Sequence, residues 1–248
     1  MKVRANLAVV GSGQYGLSSP FDCSIWAIRG SSGVVLIDAG CGAATQKILF
    51  NVREDFAAPV TGVIATHSHA DHARGLRSLR EMTDCMVYVP DCSRTAIETG
   101  DEEATGLRAA RAAGVYPADF PPLPSAVDGT LSDGVEISVC GLQFLPLHVR
   151  GHSRDHFCLL HVADGETWLF SGDAVFYGGV LGLINADGSD MAGYRSDFHK
   201  LAKCEIDGLF PGHGMFTREN GSRHIRAAAD TLNKGSLGRQ IGQWDIIF

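Results

Sequence analysis

The sequence predicts an α/β (α+β) protein in which two β-sheets pack together and helices cover them on the outside. Short apolar, β-branched segments gather in two stretches, residues 3–89 and 135–210, and segments with helical periodicity follow strands in each stretch. No sequence repeat relates the two stretches. A chain of 248 residues is long enough for one large domain with a substantial core, so we expect a single domain over residues 1–248.

The first stretch alternates strands with helices. Its predicted strands are residues 3–10, 23–29, 33–37, 60–65 and 86–89, and its predicted helices are residues 43–56 and 73–82. The glycine-rich residues 11–16 follow the first strand and loosely match a dinucleotide-binding fingerprint. Since Pro20 intervenes before any helix opens, we interpret them as a loop beside the active site.

Residues 91–128 have a different character. Alanine-rich, acidic helical patterns at residues 92–98 and 101–113 precede a proline-rich extended connector at residues 117–124. The segment is too short and too poor in large apolar residues to form a core of its own. We therefore predict a helical insertion, which serves either as a lid or wall over the site or as a surface hairpin.

The second stretch is richer in strands. Its predicted strands are residues 135–140, 142–149, 156–162, 167–171 and 208–210, and its predicted helices are residues 190–203 and 219–234.

Charge, apolar runs and cysteine content limit the classes of partner and the cellular compartment that we expect. Acidic residues outnumber basic ones 28 to 21, and the net charge of −7 does not favour a phosphate backbone. No apolar run reaches the length of a membrane span or of a signal-peptide core. The seven cysteines are scattered without a C-x-x-C pair, which is typical of thiols in a reducing compartment. We expect a cytoplasmic protein with a small-molecule substrate and no nucleic-acid or membrane partner; homo-oligomerisation stays open.

The densest group of candidate metal ligands lies where the strand at residues 60–65 ends and a helix begins. Four potential metal ligands fall within six residues there: His67, His69, Asp71 and His72. Neutral imidazoles and carboxylates are the ligands of zinc and similar divalent ions. Four ligands so close in sequence do not easily reach one ion, so the spacing indicates two. The alternative, a polar loop that is rich in histidine by chance, leaves the ordered H-x-H-x-D-H spacing unexplained.

Three later loops carry similar groups directly after apolar strands. Each is flanked by glycine, and they contain His152, Asp173 and His213. Glycine lets the backbone approach an ion closely. If the strand ends converge, these side chains converge as well. His156, near His152 in the sequence, is interpreted as a surface or supporting residue.

The whole ordered set resembles the metallo-β-lactamase fold hydrolases, above all the dinuclear branch that includes glyoxalase II and the lactone hydrolases. The resemblance implies a four-layer αββα sandwich of two mixed β-sheets with helices outside. It implies one ion bound by His67, His69 and His152, and a second ion bound by Asp71, His72 and His213. Asp173 would bridge the two ions, and Asp38 would support the ligand loop without itself binding an ion.

The implied activity is that of a metal-dependent hydrolase with two divalent ions per chain, zinc by preference, with iron or manganese as alternatives. A hydroxide generated on the metals would attack the carbonyl of a small ester, lactone or thioester, with Asp71 and Asp173 as catalytic residues. The alternatives are a β-lactam hydrolase, a phosphodiesterase and a mononuclear iron sulfur dioxygenase on the same fold. A Ser-His-Asp triad would leave most of the ligand set unexplained.

Four residues are predicted to contact the substrate: Tyr177, Arg150, Asn185 and Tyr194. Some lactonases place a tyrosine three residues after the bridging aspartate, where this chain has Phe176 followed by Tyr177. Arg150 lies beside a glycine–histidine loop and carries a guanidinium suited to a substrate carboxylate. Asn185 and Tyr194 belong to the segment after Asp173, which we expect to cover the cleft.

Overall fold

The computed structural model describes residues 1–235. The predicted α/β class with two large mixed sheets is confirmed. Within the described residues the chain divides into two compact units, residues 1–131 with 138–142, and residues 132–137 with 143–235. No helix within residues 1–235 has the length and hydropathy of a membrane span, since the longest, Gly221–Asn233, has 13 residues.

The first unit is built on a six-stranded sheet whose strands follow chain order. They are β1 (Leu7–Gly11), β2 (Ile25–Arg29), β3 (Val34–Ile37), β4 (Val60–Ile64), β5 (Met86–Pro90) and β6 (Gly129–Leu131). β1 to β3 are antiparallel, whereas β3 to β6 are parallel. Ile37 therefore pairs with Ile64, and the residues after β3 and after β4 lie at the same edge of the sheet. Parallel sheets place their sites at this edge.

Five helices belong to the first unit: α1 (Thr45–Phe56), α2 (Ala70–Ala73), α3 (Leu76–Thr83), α4 (Arg94–Thr99) and α5 (Leu107–Ala112). The helix predicted over residues 73–82 is present as α3, but it begins at Leu76, because a break at Gly75 separates it from the short α2. The Gly75 N–H donates to the Gly40 carbonyl at 2.8 Å. A Cβ at Gly75 would lie 2.1 Å from the Ala39 carbonyl oxygen, so the close approach of these backbones requires glycine.

The second unit is built on a five-stranded sheet in the order β13-β10-β9-β8-β7. These strands are β7 (Ile137–Val139), β8 (Leu142–His148), β9 (Phe157–Ala163), β10 (Glu166–Gly172) and β13 (Gly208–Pro211). β13 runs parallel to β10, so their carboxyl ends lie at one edge and bring residues 173 and 213 to the same side. A small hairpin of β11 (Val175–Phe176) and β12 (Val180–Leu181) follows β10.

The helices of the second unit cover one apolar cluster. They are α6 (Met191–Asp197), α7 (His199–Ala202) and α8 (Gly221–Asn233). The helix predicted over residues 190–203 is therefore two helices that meet at Phe198. Ile225 and Ala228 of α8 pack into the same core as Leu169 of β10, which fixes the strand that leads to Asp173.

Candidate metal centre

The ligand loop, residues 65–75, connects β4 to α3 in the first unit. His67 is fully buried, and its Nε2 lies 3.0 Å from Nδ1 of His69. His67 Nδ1 lies 3.0 Å from the Thr66 hydroxyl, which in turn donates to Asp38. Because that hydroxyl gives its proton to the carboxylate, it accepts from His67 Nδ1. The lone pair of His67 is therefore on Nε2, the atom that faces His69.

Asp38 supports the loop from beneath. Its backbone has a φ of 66°, a left-handed conformation that aspartate tolerates better than most residues. The buried carboxylate accepts from the Thr66 N–H at 2.7 Å and lies 2.8 Å from His72 Nδ1. That contact places the His72 proton on Nδ1 and leaves Nε2 as the ligand atom, a recognised device for orienting metal-binding imidazoles.

Asp71 lies in the first turn of α2. Its Oδ2 is 3.4 Å from His72 Nε2, so the two predicted ligands of one ion are neighbours. Its Oδ1 accepts a hydrogen bond of 3.1 Å from the Tyr116 hydroxyl, which comes from the insertion. Burial, followed by the nearby Asp71 charge, raises the pKa of Tyr116 far above its ordinary value, so the phenol stays protonated and donates.

A thiol also approaches this group. Cys23 Sγ lies within 4.8 Å of the ligand atoms of Asp38 and His72. Burial raises the pKa of Cys23 well above its ordinary value, and burial likewise raises the pKa of Cys41 to about 11. A thiol is a nucleophile only as the thiolate, so without a bound ion neither cysteine is a nucleophile at neutral pH.

In the second unit, Asp173 lies between two histidines. Its Oδ2 is 3.5 Å from Nε2 of His152 and 3.5 Å from Nε2 of His213. His152 Nδ1 lies 2.5 Å from the Gly182 carbonyl oxygen, which can only accept, so the lone pair of His152 is on Nε2. One carboxylate oxygen thus lies midway between two imidazoles.

Asp173 itself is held through its main chain. Its N–H donates to Nε2 of His156 at 2.9 Å, and its carbonyl accepts from the Tyr194 hydroxyl at 3.4 Å. His156 is fully buried and supports Asp173, in agreement with the supporting role considered from the sequence. A Cβ at Gly182 would lie only 1.8 Å from the Asp173 carbonyl oxygen.

Two of the predicted substrate contacts have partners inside the second unit. Arg150 donates to Asp197 through Nε at 2.6 Å and through a second nitrogen at 3.1 Å. Tyr177 packs its ring on His224 of α8, with 4.3 Å between ring centroids. Their contact with a substrate stays a prediction.

The other two predicted substrate contacts, Asn185 and Tyr194, differ in their exposure to solvent. Asn185 is exposed in the loop between β12 and α6, where it is accessible to a ligand. Tyr194 is fully buried in α6 and contacts the Asp173 main chain, so the structure places it as a support of the Asp173 loop. Whether either residue touches a substrate stays a prediction.

The donor set fits divalent metal ions. In each unit the predicted ligands are imidazole nitrogens and carboxylate oxygens, and three of the histidines carry their lone pair on Nε2 as metal binding requires: His67, His72 and His152. Such nitrogen and oxygen donors accept zinc, iron or manganese.

Sequence reasoning missed three supports of these ligands. Thr66 directly precedes the first motif, so its position was a usable signal. Tyr116 is 45 residues from Asp71, and Gly182 acts through its carbonyl, which every residue type possesses. Neither has a local sequence signature.

Comparison with known proteins decides the family. The model of the metallo-beta-lactamase superfamily matches residues 18–213. The chain belongs to this superfamily. Acyl-coenzyme A thioesterase MBLAC2 of Gallus gallus is 28% identical over 94% of this chain and 88% of its own length. A hydroxyacylglutathione hydrolase of Marinomonas sp. is 27% identical over 80% of this chain and 63% of its own.

Solved structures agree on the fold. A metallo-β-lactamase of Cronobacter sakazakii superposes with a TM-score of 0.71 at 18% identity, over 95% of this chain and 96% of that one. FEZ-1 of Legionella gormanii gives 0.69 at 18% identity, over 95% and 94%. At this identity the likeness establishes the fold alone. The predicted fold and the predicted class, a hydrolase of this superfamily, are confirmed.

Proposed function

We propose that the chain hydrolyses thioesters with two divalent metal ions. The observation that carries the proposal is the position of Asp173 Oδ2, 3.5 Å from both His152 Nε2 and His213 Nε2. A carboxylate that bridges two ions must lie between ligands of each. We assign His67, His69 and His152 to one ion, and Asp71, His72 and His213 to the other.

When bound, two such ions would polarise the substrate carbonyl and lower the pKa of a water ligand toward neutrality. The chain's own residues prepare that chemistry. Asp38 and Thr66 hold two imidazoles as the tautomers that present Nε2. Asp71 would hold one ion through Oδ2, since Oδ1 is already engaged by Tyr116. The protonated thiols of Cys23 and Cys41 take no nucleophilic part.

The proton requirement of the leaving group favours a thioester as the substrate over an ester, a lactone or a β-lactam. A thiol has a pKa of about 8.5 and leaves as the thiolate without a proton, whereas an alcohol or amine needs one. The donors seen around the ligands are already committed, since those of Thr66, Tyr116 and Tyr194 go to Asp38, Asp71 and the Asp173 main chain. Acyl-coenzyme A and hydroxyacylglutathione, named for the two relatives, are both thioesters.

The test is a substrate panel with one variant. Purified protein is offered an acyl-coenzyme A, an acylglutathione, a lactone, a β-lactam and bis(p-nitrophenyl) phosphate, and thiol release or ring opening is followed. We expect the thioesters to be hydrolysed fastest. In Asp173→Ala, metal content and thioesterase activity should be lost together, by at least about 100-fold in kcat/KM.

The matched control is Asp187→Ala, which removes an exposed carboxylate of the same unit and should leave both measurements unchanged. Full activity in Asp173→Ala would refute the bridging role. Faster hydrolysis of the lactone, the β-lactam or the phosphodiester would refute the thioester assignment.

A further inference from the structure

The insertion reaches a predicted metal ligand directly. Tyr116 lies in the segment after α5, and its hydroxyl donates to Asp71 Oδ1 across 45 residues of sequence. Tyr116 is only 8% exposed, although its neighbours Val115 and Pro117 are exposed. A buried phenol in an otherwise exposed stretch is held there by specific contacts.

An aromatic stack fixes the ring. Tyr116 lies parallel to Phe120 at 9°, with 5.0 Å between centroids, and meets Phe21 edge-on at 5.8 Å. The guanidinium of Arg74, from the ligand loop, covers the Phe120 ring at 3.9 Å and donates from Nε to the Pro121 carbonyl at 2.6 Å. Aromatic and cation–π contacts of this kind are attractive and directional, so the ring has a defined position.

The helix before it adds a second attachment. Leu107 of α5 forms a small buried cluster with Ala70 and Tyr116, and Ala70 begins the short helix that carries Asp71. Arg111 of α5 donates to the Phe120 carbonyl at 2.9 Å. The insertion and the ligand loop are therefore joined by packing at the residue that precedes the metal ligand.

We propose that Tyr116 is a positioning residue for Asp71. A free carboxylate offers about four lone-pair sites on two oxygens and can bind an ion through either or both. The phenol occupies Oδ1 with a charge-assisted hydrogen bond, which leaves Oδ2, 3.4 Å from His72 Nε2, as the coordinating atom. The inference rests on the proposed function, because it assigns the role of Asp71 within that metal centre.

Loss of the Tyr116 hydroxyl should affect the binding of only one of the two ions. Asp71 and His72 belong to the ion that lacks His67 and His69, so loss of the phenol should weaken that ion and spare the other. Removal of a comparable outer hydrogen bond costs 10- to 100-fold in metal affinity in other proteins. The insertion would then set the affinity of the second ion as well as cover the ligand loop.

Tyr116→Phe tests this, because it removes the hydroxyl and keeps the stacked ring. The full-length protein is loaded with zinc and titrated with a chelator, and zinc per chain is measured alongside kcat and KM for the thioester. We expect one of the two ions to bind roughly 10- to 100-fold more weakly. At low zinc kcat should fall by about the same factor with KM unchanged, and added zinc should restore kcat.

Two control variants separate hydrogen bonding from packing. Tyr88→Phe removes a half-buried phenol from β5 of the same unit and should leave the titration unchanged. Phe120→Leu removes the stacking partner and retains the hydroxyl, so it should lower the Tm more than it lowers zinc affinity. If Phe120→Leu weakens one ion as much as Tyr116→Phe does, the role is packing and the inference is wrong.

Two further outcomes separate failure of this inference from failure of the proposed function. If the wild type binds two ions and Tyr116→Phe gives an unchanged titration, the inference about Tyr116 is wrong and the proposed function stands. A wild-type chain that binds no second ion would overturn the proposed function, and this inference with it.

Discussion

The two units hold their predicted ligands in different ways. In the first unit side chains are the supports: Asp38 contacts His72, and Tyr116 contacts Asp71. In the second unit the main chain is involved in each support: the Gly182 carbonyl contacts His152, and the Asp173 N–H donates to a buried imidazole. Side-chain supports are removed by conservative substitutions at the supporting residue. The Gly182 carbonyl is present in every residue type, so this support is disturbed only where a substitution displaces the backbone. His72 and His152 should therefore differ in their response to mutation of their supports.

The largest effect is expected for Gly182→Ala. The new Cβ would lie 1.8 Å from the Asp173 carbonyl oxygen and 3.1 Å from His152 Nδ1, so the backbone that orients both ligands must move. We expect at least about 100-fold loss in kcat/KM with loss of bound metal. Gly165→Ala is the control, because its Cβ meets open space and only its φ of 79° is strained, at about 1 kcal/mol. If Gly182→Ala retains both ions, the backbone at Gly182 does not position His152 and Asp173 for metal binding.

Asp38→Asn should act more moderately. Asparagine keeps the left-handed backbone conformation and the size of the side chain. If its amide donates to His72 Nδ1, however, that nitrogen must accept, and the proton moves to Nε2, where it blocks metal binding. We expect about 10- to 100-fold weaker binding of the ion assigned to His72, measured by chelator titration. An unchanged titration would show that the carboxylate does not set the tautomer.

The smallest effect is expected for Arg150→Gln, which removes a side-chain ion pair in the second unit. Partial burial would raise the pKa of Asp197, but the hydrogen bonds from Arg150 outweigh it and lower the pKa to about 2. A lowered native pKa stabilises the fold above the unfolded value of about 3.9, and that stability is lost as the pH falls toward 2. Since the Arg150 side chain is 47% exposed, the loss in the free energy of unfolding at pH 7 should be about 0.5 kcal/mol.

Urea unfolding of both proteins between pH 7 and pH 3 measures this difference, which should shrink below about pH 4. An increase of tenfold or more in KM would instead support Arg150 as a substrate contact.

The sequence predicted elements best where one apolar run formed one strand. β2, β3 and β4 appear within two residues of their expected ends. β6 was missed because it is three residues long and includes Gly129. The helix break at Gly75 was missed because its cause, the Ala39 carbonyl, lies 36 positions earlier in the chain and becomes adjacent only on folding.

The candidate site divides in the same way. His67 and Asp71 could be predicted because their spacing is local, and Asp173 because it follows an apolar strand on a glycine-flanked loop. Asp38 could be proposed only through the family resemblance. Tyr116 could not be predicted, since its link to Asp71 depends on how the insertion packs on Ala70, which no local pattern encodes.

Metal analysis of the purified, catalytically active chain tests the central claim most directly. The account predicts about two divalent ions per chain, with thioester hydrolysis that falls as they are removed and returns when they are restored. A single iron per chain, accompanied by oxygen uptake in place of hydrolysis, would contradict it.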